Sequence, residues 1–112
     1  MLNILFVADV FARAGRRATA SVIPKLIRER NIDFCVVNGE NAAGGFGLTE
    51  NIVRKLKNYG ADIITTGNHV WDRKDFLPVL TRTDFLLRPG NYPPEVAGSG
   101  SAVIVSRSGI PV

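Results

Sequence analysis

The sequence predicts an α/β fold of parallel strands alternating with helices, and three observations predict it. Short apolar runs at residues 2–8, 32–37 and 61–66 are bounded by turn residues, as buried strands are. Between them lie stretches with apolar side chains at helical spacing, Val22 and Leu26 with Ile23 and Ile27, then Ile52, Leu56 and Tyr59. Each apolar run feeds a loop that carries a polar side chain near its start: Asp9, then Glu40, then Asn68. Strand, helix, strand, helix, strand is the pattern of βαβ units with right-handed crossovers.

Taken in order, Leu2 to Ala8 is a buried strand that ends at Asp9. A turn over 9–15 precedes a helix over 16–30. Pro24 lies inside that helix and predicts a kink or an early break, because its ring removes an amide donor. Asn31 suits the helix end. Ile32 to Val37 is the second strand. The next ten residues, Asn38 to Gly47, hold one acid, two asparagines and four glycines, which is poor core and poor helix. Thr49 is the expected N-cap of a helix over 50–59, and Gly60 its left-handed stop. Ala61 to Thr66 is the third strand, followed by a loop over 67–72 and a short helix over 74–80. A fourth short strand spans 85–87 or 85–88. Residues 89–94 are crowded with Pro and Gly and are irregular. A last strand is expected over 101–105.

A chain of 112 residues is one domain at most, and its 46% apolar and 21% charged content suits a globular protein. No apolar run is long enough to span a bilayer. The first apolar run lacks a basic leader and is interrupted by Asp9, so a cytoplasmic location is expected. The single cysteine, Cys35, sits between Phe34 and Val36 and reads as a reduced, buried strand residue. The net charge of +4 suits a phosphate-bearing ligand without establishing nucleic-acid binding.

In a parallel sheet all carboxyl ends share one edge, where open α/β sheets bind ligands. Asp9, Glu40 and Asn68 are therefore expected close together. Two carboxylates at one edge repel unless a cation or a proton lies between them. Asp, Glu, Asn and His suit Mn, Fe, Zn or Mg, and a divalent pair can polarise a phosphoryl oxygen and activate water. His69, the only histidine, stands beside Asn68, where it could protonate a leaving oxygen. Gly44, Gly45 and Gly47 would let the backbone approach a phosphate. Singly, each residue has a plainer reading: Asp9 as a turn residue, Glu40 and Asn41 as a solvated loop, the glycines as a flexible turn, and His69 as a structural histidine. Arg13, Arg16 and Arg17 could contact phosphate, with a solvated helix start as the plainer reading, and Trp71 and Phe46 read as packing residues. Neither a P-loop nor a dinucleotide fingerprint is present.

Three stretches carry a resemblance: Asn-Gly-Glu-Asn-Ala-Ala-Gly-Gly-Phe-Gly at 38–47, Gly-Asn-His-Val-Trp-Asp at 67–72, and Arg-Pro-Gly-Asn-Tyr-Pro at 88–93. With Asp9 before them, they resemble the calcineurin-like metallophosphoesterases, and in wording the YmdB-like branch. The resemblance implies a metallophosphoesterase α/β sandwich that hydrolyses phosphodiesters such as 2′,3′-cyclic nucleotides through two divalent metal ions. It implies Asp9 as ligand of one metal, Glu40 as the bridging carboxylate and Asn68 as ligand of the second. It makes Asn41 a site residue that helps hold metal or substrate, and His69 the group that assists the leaving oxygen. Gly44 and Gly45 become substrate-binding positions.

Phe11 stands where the wider superfamily has a histidine, an absence the branch shares. Residues 12–14, Ala-Arg-Ala, also depart from the branch. Family members are longer, with further histidine ligands in their second half, and no histidine follows His69 here. The expectation is an incomplete domain over 1–112 resembling the N-terminal half, with an unpaired sheet edge and an apolar face that favour self-association. The partner implied is a phosphodiester or cyclic nucleotide, with RNA and a second copy of the chain left open and no membrane. The alternative is a non-catalytic phosphate- or nucleotide-binding module built on the glycine loop, the helix start at Thr49 and nearby arginines. A structural fragment without activity is the third reading.

Overall fold

The computed structural model describes residues 1–44 and 47–112. In chain order it contains β1 (Ile4–Val7), α1 (Ala12–Glu29), β2 (Phe34–Asn38), α2 (Glu50–Tyr59), β3 (Ile63–Thr65), α3 (Leu77–Arg82) and β4 (Leu86–Leu87). The strands form one parallel sheet in the order β1-β2-β3-β4. The α/β class expected from the sequence is the one observed. Right-handed crossovers between successive neighbours place the connecting helices on one face of such a sheet.

The strands alternate sides, and the register fixes which residues meet the helices. Leu5, Cys35 and then Val7, Val37, Ile64, Leu86 lie in line across the sheet. Val37, Ile64 and Leu86 are fully buried, packed with Ile23 of α1 and with Val53 and Leu56 of α2. Cys35 is buried in the same layer, as the sequence suggested. Burial, with the nearby Asp62 charge, pushes its thiol up to about 11, so it remains a protonated core residue at neutral pH. On the opposite face, Phe34 and Ile63 are buried, whereas Ile4 and Phe6 of the outer strand β1 are 52% and 60% exposed.

Helix boundaries follow local chemistry. Asn31 takes φ 49° beyond the end of α1. Gly60 ends α2 at φ 124°, and its N–H reaches the carbonyls of Leu56 and Lys57. A side chain at Gly60 would be strained at that φ and would also meet the Ile27 Cδ1 atom at 2.5 Å, so the Ile27 side chain would have to shift where α1 and α2 meet. At the other end of α2, Thr49 Oγ1 accepts from the Ile52 N–H at 3.3 Å, the expected N-cap.

Four expectations are corrected. Helix α1 starts at Ala12 rather than 16: the Gly15 N–H donates to the Phe11 carbonyl at 2.9 Å and closes the first turn, although Ala12 itself takes φ 51°. Pro24 neither ends nor interrupts α1, which continues to Glu29. The short helix over 74–80 is divided: a 3-10 turn, Lys74–Phe76, leads into α3, with Pro78 in the first turn, where its missing N–H costs nothing. The last strand over 101–105 does not form. Val105 makes an isolated antiparallel bridge to Pro111, and Ile104 and Val112 exchange two backbone hydrogen bonds of 3.0 and 2.9 Å. That narrow hairpin has no third strand beside it, among the described residues, to extend the ladder. It is moored to the starts of β2 and β3: the Arg107 N–H donates to the Asp33 carbonyl at 3.0 Å, and its guanidinium to the Asp62 carboxylate and the Gly60 carbonyl.

The loop after β4 is held from inside. Arg88 is buried, and its guanidinium donates to the carbonyls of Gly98, Pro89 and Pro93 at 3.1, 2.8 and 3.4 Å. A buried cation surrounded by carbonyl acceptors fixes an otherwise irregular segment. Among the described residues, no helix is long and apolar enough to cross a membrane.

Candidate active site

Three loops leave the carboxyl ends of β1, β2 and β3, and backbone hydrogen bonds lace them together. Val10 N–H donates to the Asn38 carbonyl at 3.1 Å, Ala12 N–H to Asn41 at 3.0 Å, and Gly39 N–H to Thr65 at 3.0 Å. Arg16 adds a side-chain tie, its Nη1 donating to the Ala42 carbonyl. In the sequence, Arg16 reads most plainly as part of a solvated helix start. Its position one turn into α1 explains the difference, since α1 begins early enough to aim the side chain across the polar loop.

Within this frame the expected site residues meet in two groups. Asn41 Nδ2 donates to Asp9 Oδ1 at 2.8 Å, joining the first and second loops. Asp9 adopts φ 48°, a left-handed conformation that an aspartate tolerates better than most residues. Glu40 turns toward the third loop, where its Oε1 accepts from the His69 N–H at 3.1 Å. Its carboxyl group lies directly against Gly67: a Cβ built there would stand 2.1 to 2.2 Å from both oxygens and the carboxyl carbon. Gly67 is extended, at φ −129°, so its lack of a side chain serves space rather than backbone strain.

The third loop is itself a 3-10 turn, Asn68–Trp71. Asn68 opens it and is exposed. His69 follows, with Nδ1 at 2.6 Å from Asp72 Oδ2. Asp72 was part of the quoted 67–72 motif but carried no assigned role. The signal was its spacing, three residues after His69 in a turn with three residues per turn. The carboxylate fixes the orientation of the imidazole.

Gly44 is exposed at φ 90°, and a side chain there would meet nothing within 4 Å. Gly45 and Phe46 lie outside the described residues. Gly47, at φ 69°, is buried against the His69 carbonyl and the Arg73 side chain. Thus the beginning and end of the glycine loop are placed, and Gly47 closes it onto the His69 turn.

As donors, the Asp9 and Glu40 carboxylates with the Asn41 and Asn68 amides are hard oxygen groups of the kind divalent cations accept. Among the described residues, no three His, Cys, Asp or Glu side chains come together as a metal-holding cluster. The donor chemistry fits a divalent ion, and the asparagines are the groups that would supplement the two carboxylates.

The chain resembles proteins of known name over most of its length. It is 42% identical over 99 residues to the 2′,3′-cyclic-nucleotide 2′-phosphodiesterase of Bacillus subtilis (strain 168), an alignment covering 88% of this chain and 38% of that protein. A crystal structure of a novel phosphatase from Mycoplasma pneumoniae superposes with a TM-score of 0.82 at 34% identity, covering 93% of this chain and 40% of the other. A hypothetical protein from Thermus thermophilus superposes with a TM-score of 0.81 at 40% identity, covering 90% and 39%. The chain therefore spans about two-fifths of the length of these relatives. The family model described as YmdB-like protein matches residues 5–112. By that match, and by the sheet edge at which its quoted motifs converge, the chain belongs to the YmdB-like family of phosphoesterases.

Proposed function

We propose that this chain supplies the carboxylate side of a site that hydrolyses phosphodiesters, with 2′,3′-cyclic nucleotides as the substrate class, in a metal-dependent reaction. The observation that carries the reading is the Glu40 carboxylate, seated against Gly67 and held by the His69 N–H while Asp9 and Asn41 stand joined on the neighbouring loop. Nothing in core packing calls for two acids at adjacent strand ends.

In this proposal Asp9, Glu40 and Asn68 would hold the divalent ions (Fe, Mn, Zn or Mg), Asp9 serving one and Asn68 a second, with Glu40 as the further carboxylate. When bound, such ions polarise a phosphoryl oxygen and lower the pKa of water. Asn41 keeps the Asp9 carboxylate oriented. Asp72 orients the His69 ring, which supplies the proton to the departing oxygen. Gly44 and Gly47, which carry no side chain, would let backbone N–H groups approach the phosphate.

A second reading is a non-catalytic phosphate- or nucleotide-binding module. What favours it is that the described residues form no cluster of three acidic, histidine or cysteine ligands. One experiment separates the two. Purified 1–112, shown to be folded, is assayed on bis(p-nitrophenyl) phosphate with and without Mn²⁺, beside Glu40→Ala. Turnover that needs metal and vanishes in the variant supports the hydrolase. A folded chain that binds phosphate without metal and without turnover refutes it for this polypeptide and supports the module.

A further inference from the structure

The third quoted motif, residues 88–93, has no part in the site described above. It follows β4 and therefore leaves the same sheet edge as Asp9, Glu40 and His69. Within it Tyr92 is 36% exposed and packs edge-on to Trp71, with ring centroids 4.4 Å apart and planes at 61°. Trp71 closes the 3-10 turn that carries Asn68 and His69, and its Nε1 donates to the Ala97 carbonyl at 3.4 Å. Both rings are thus fixed at their bases. Trp71 is held by the turn and by Ala97, and Tyr92 by a loop that the buried Arg88 staples to three carbonyls. A tyrosine kept partly open to solvent, propped by a second ring that is rooted two residues from the site histidine, is a rigid aromatic surface at the substrate edge. Such a surface suits a flat aromatic group, because little side-chain freedom remains to be lost on stacking.

We infer that Tyr92, propped by Trp71, is the stacking surface for the nucleobase of a nucleotide phosphodiester. The inference rests on the proposed phosphodiesterase reading for what occupies the neighbouring loops, and it names what determines selectivity there. It makes the site selective for diesters that carry a base, with tolerance among bases, because every base presents a π-face.

The test uses the 112-residue chain, in which Trp71 is the one tryptophan and reports directly on its surroundings. Adenosine 2′,3′-cyclic phosphate and the base-free methyl riboside 2′,3′-cyclic phosphate are titrated by Trp71 emission and by equilibrium dialysis. The proteins are wild type, Tyr92→Leu and Tyr92→Phe, each checked for an unchanged melting curve. The expected result is that Tyr92→Leu weakens the nucleotide about 5- to 150-fold, the range for losing one base–aromatic stack. The same variant leaves the base-free diester unchanged, Tyr92→Phe retains nucleotide affinity, and only the nucleotide alters Trp71 emission. Equal loss for both ligands, no loss for either, or no nucleotide binding at millimolar concentration overturns the inference. Adenosine alone binding in a Tyr92-dependent way, with no Mn²⁺-dependent hydrolysis, keeps the stacking surface and sinks the phosphodiesterase reading. Hydrolysis of the base-free diester with no contribution from the base does the reverse.

Discussion

Replacing Gly67 with alanine tests the central contact of the site. The added Cβ would stand 2.1 to 2.2 Å from the Glu40 carboxyl atoms. Nonbonded heavy atoms settle at separations of about 3.5 Å, so the carboxylate must retreat by roughly 1 Å or more. The His69 N–H to Glu40 bond, now 3.1 Å, then lengthens beyond hydrogen-bonding range. Losing a hydrogen bond to a charged acceptor costs about 1.5–3 kcal/mol. Because Gly67 has an ordinary extended φ, no backbone strain adds to this. The cost arises wholly from Glu40, so it should vanish when Glu40 is shortened. In urea unfolding, Gly67→Ala is expected to lose about 2 kcal/mol in the wild-type background and less than about 0.5 kcal/mol in Glu40→Ala, a coupling typical of directly contacting residues. Equal losses in the two backgrounds would refute the reasoning, since the penalty would then lie in the backbone or in another neighbour.

Two further outcomes are expected. Thr49→Ala removes the acceptor for the Ile52 N–H and should lower stability by about 1 kcal/mol, while Thr49→Ser should change little, both read from urea midpoints. The Asp33 carboxyl is held below its ordinary range, first by the Asn3 N–H that donates to it at 2.8 Å, then by Ser108 and Arg107. A depressed carboxylate contributes stability that is complete above the unfolded pKa and lost as pH falls through the folded one. Wild type should therefore exceed Asp33→Asn in stability at pH 7, and the gap should close below about pH 4. A gap that stays constant from pH 7 to pH 3 would contradict that account.

The parallel alternation of strands and helices, and the edge at which the loops gather, could be read from the chain because both depend on short-range pattern; the strand order β1-β2-β3-β4 could not. Runs such as Phe34–Val37 and Ile63–Thr65 are apolar on both sides, as strands covered on two faces must be, and helical spacing between them forces parallel crossovers. Boundaries were harder. The start of α1 depended on the weak preferences of Ala12, Arg13 and Ala14, which carry no capping side chain, and the structure begins that helix at Ala12 behind Phe11. The terminal hairpin failed as a strand for a different reason. Val103 and Val105 have strand character, but a strand exists only if a neighbour pairs with it, and pairing partners are not written in the segment itself.

For the candidate site, the sequence alone determined which chemistry is present and in what order: Asp9, Glu40, Asn41, Asn68 and His69 at successive strand ends. That much follows from covalent order and the alternation of strands and helices. Only the tertiary structure decided the pairings. Asn41 reaches back to Asp9, Glu40 reaches forward to the His69 N–H, Asp72 orients the imidazole, Arg16 ties down the Ala42 carbonyl, and Tyr92 meets Trp71. Most of these contacts join residues far apart in the chain, and they rest on distances of a few ångströms set by how loops from separate strands pack. Local sequence specifies each loop's backbone preferences, whereas the space at Gly67 and the aim of each side chain emerge only when the strands lie side by side.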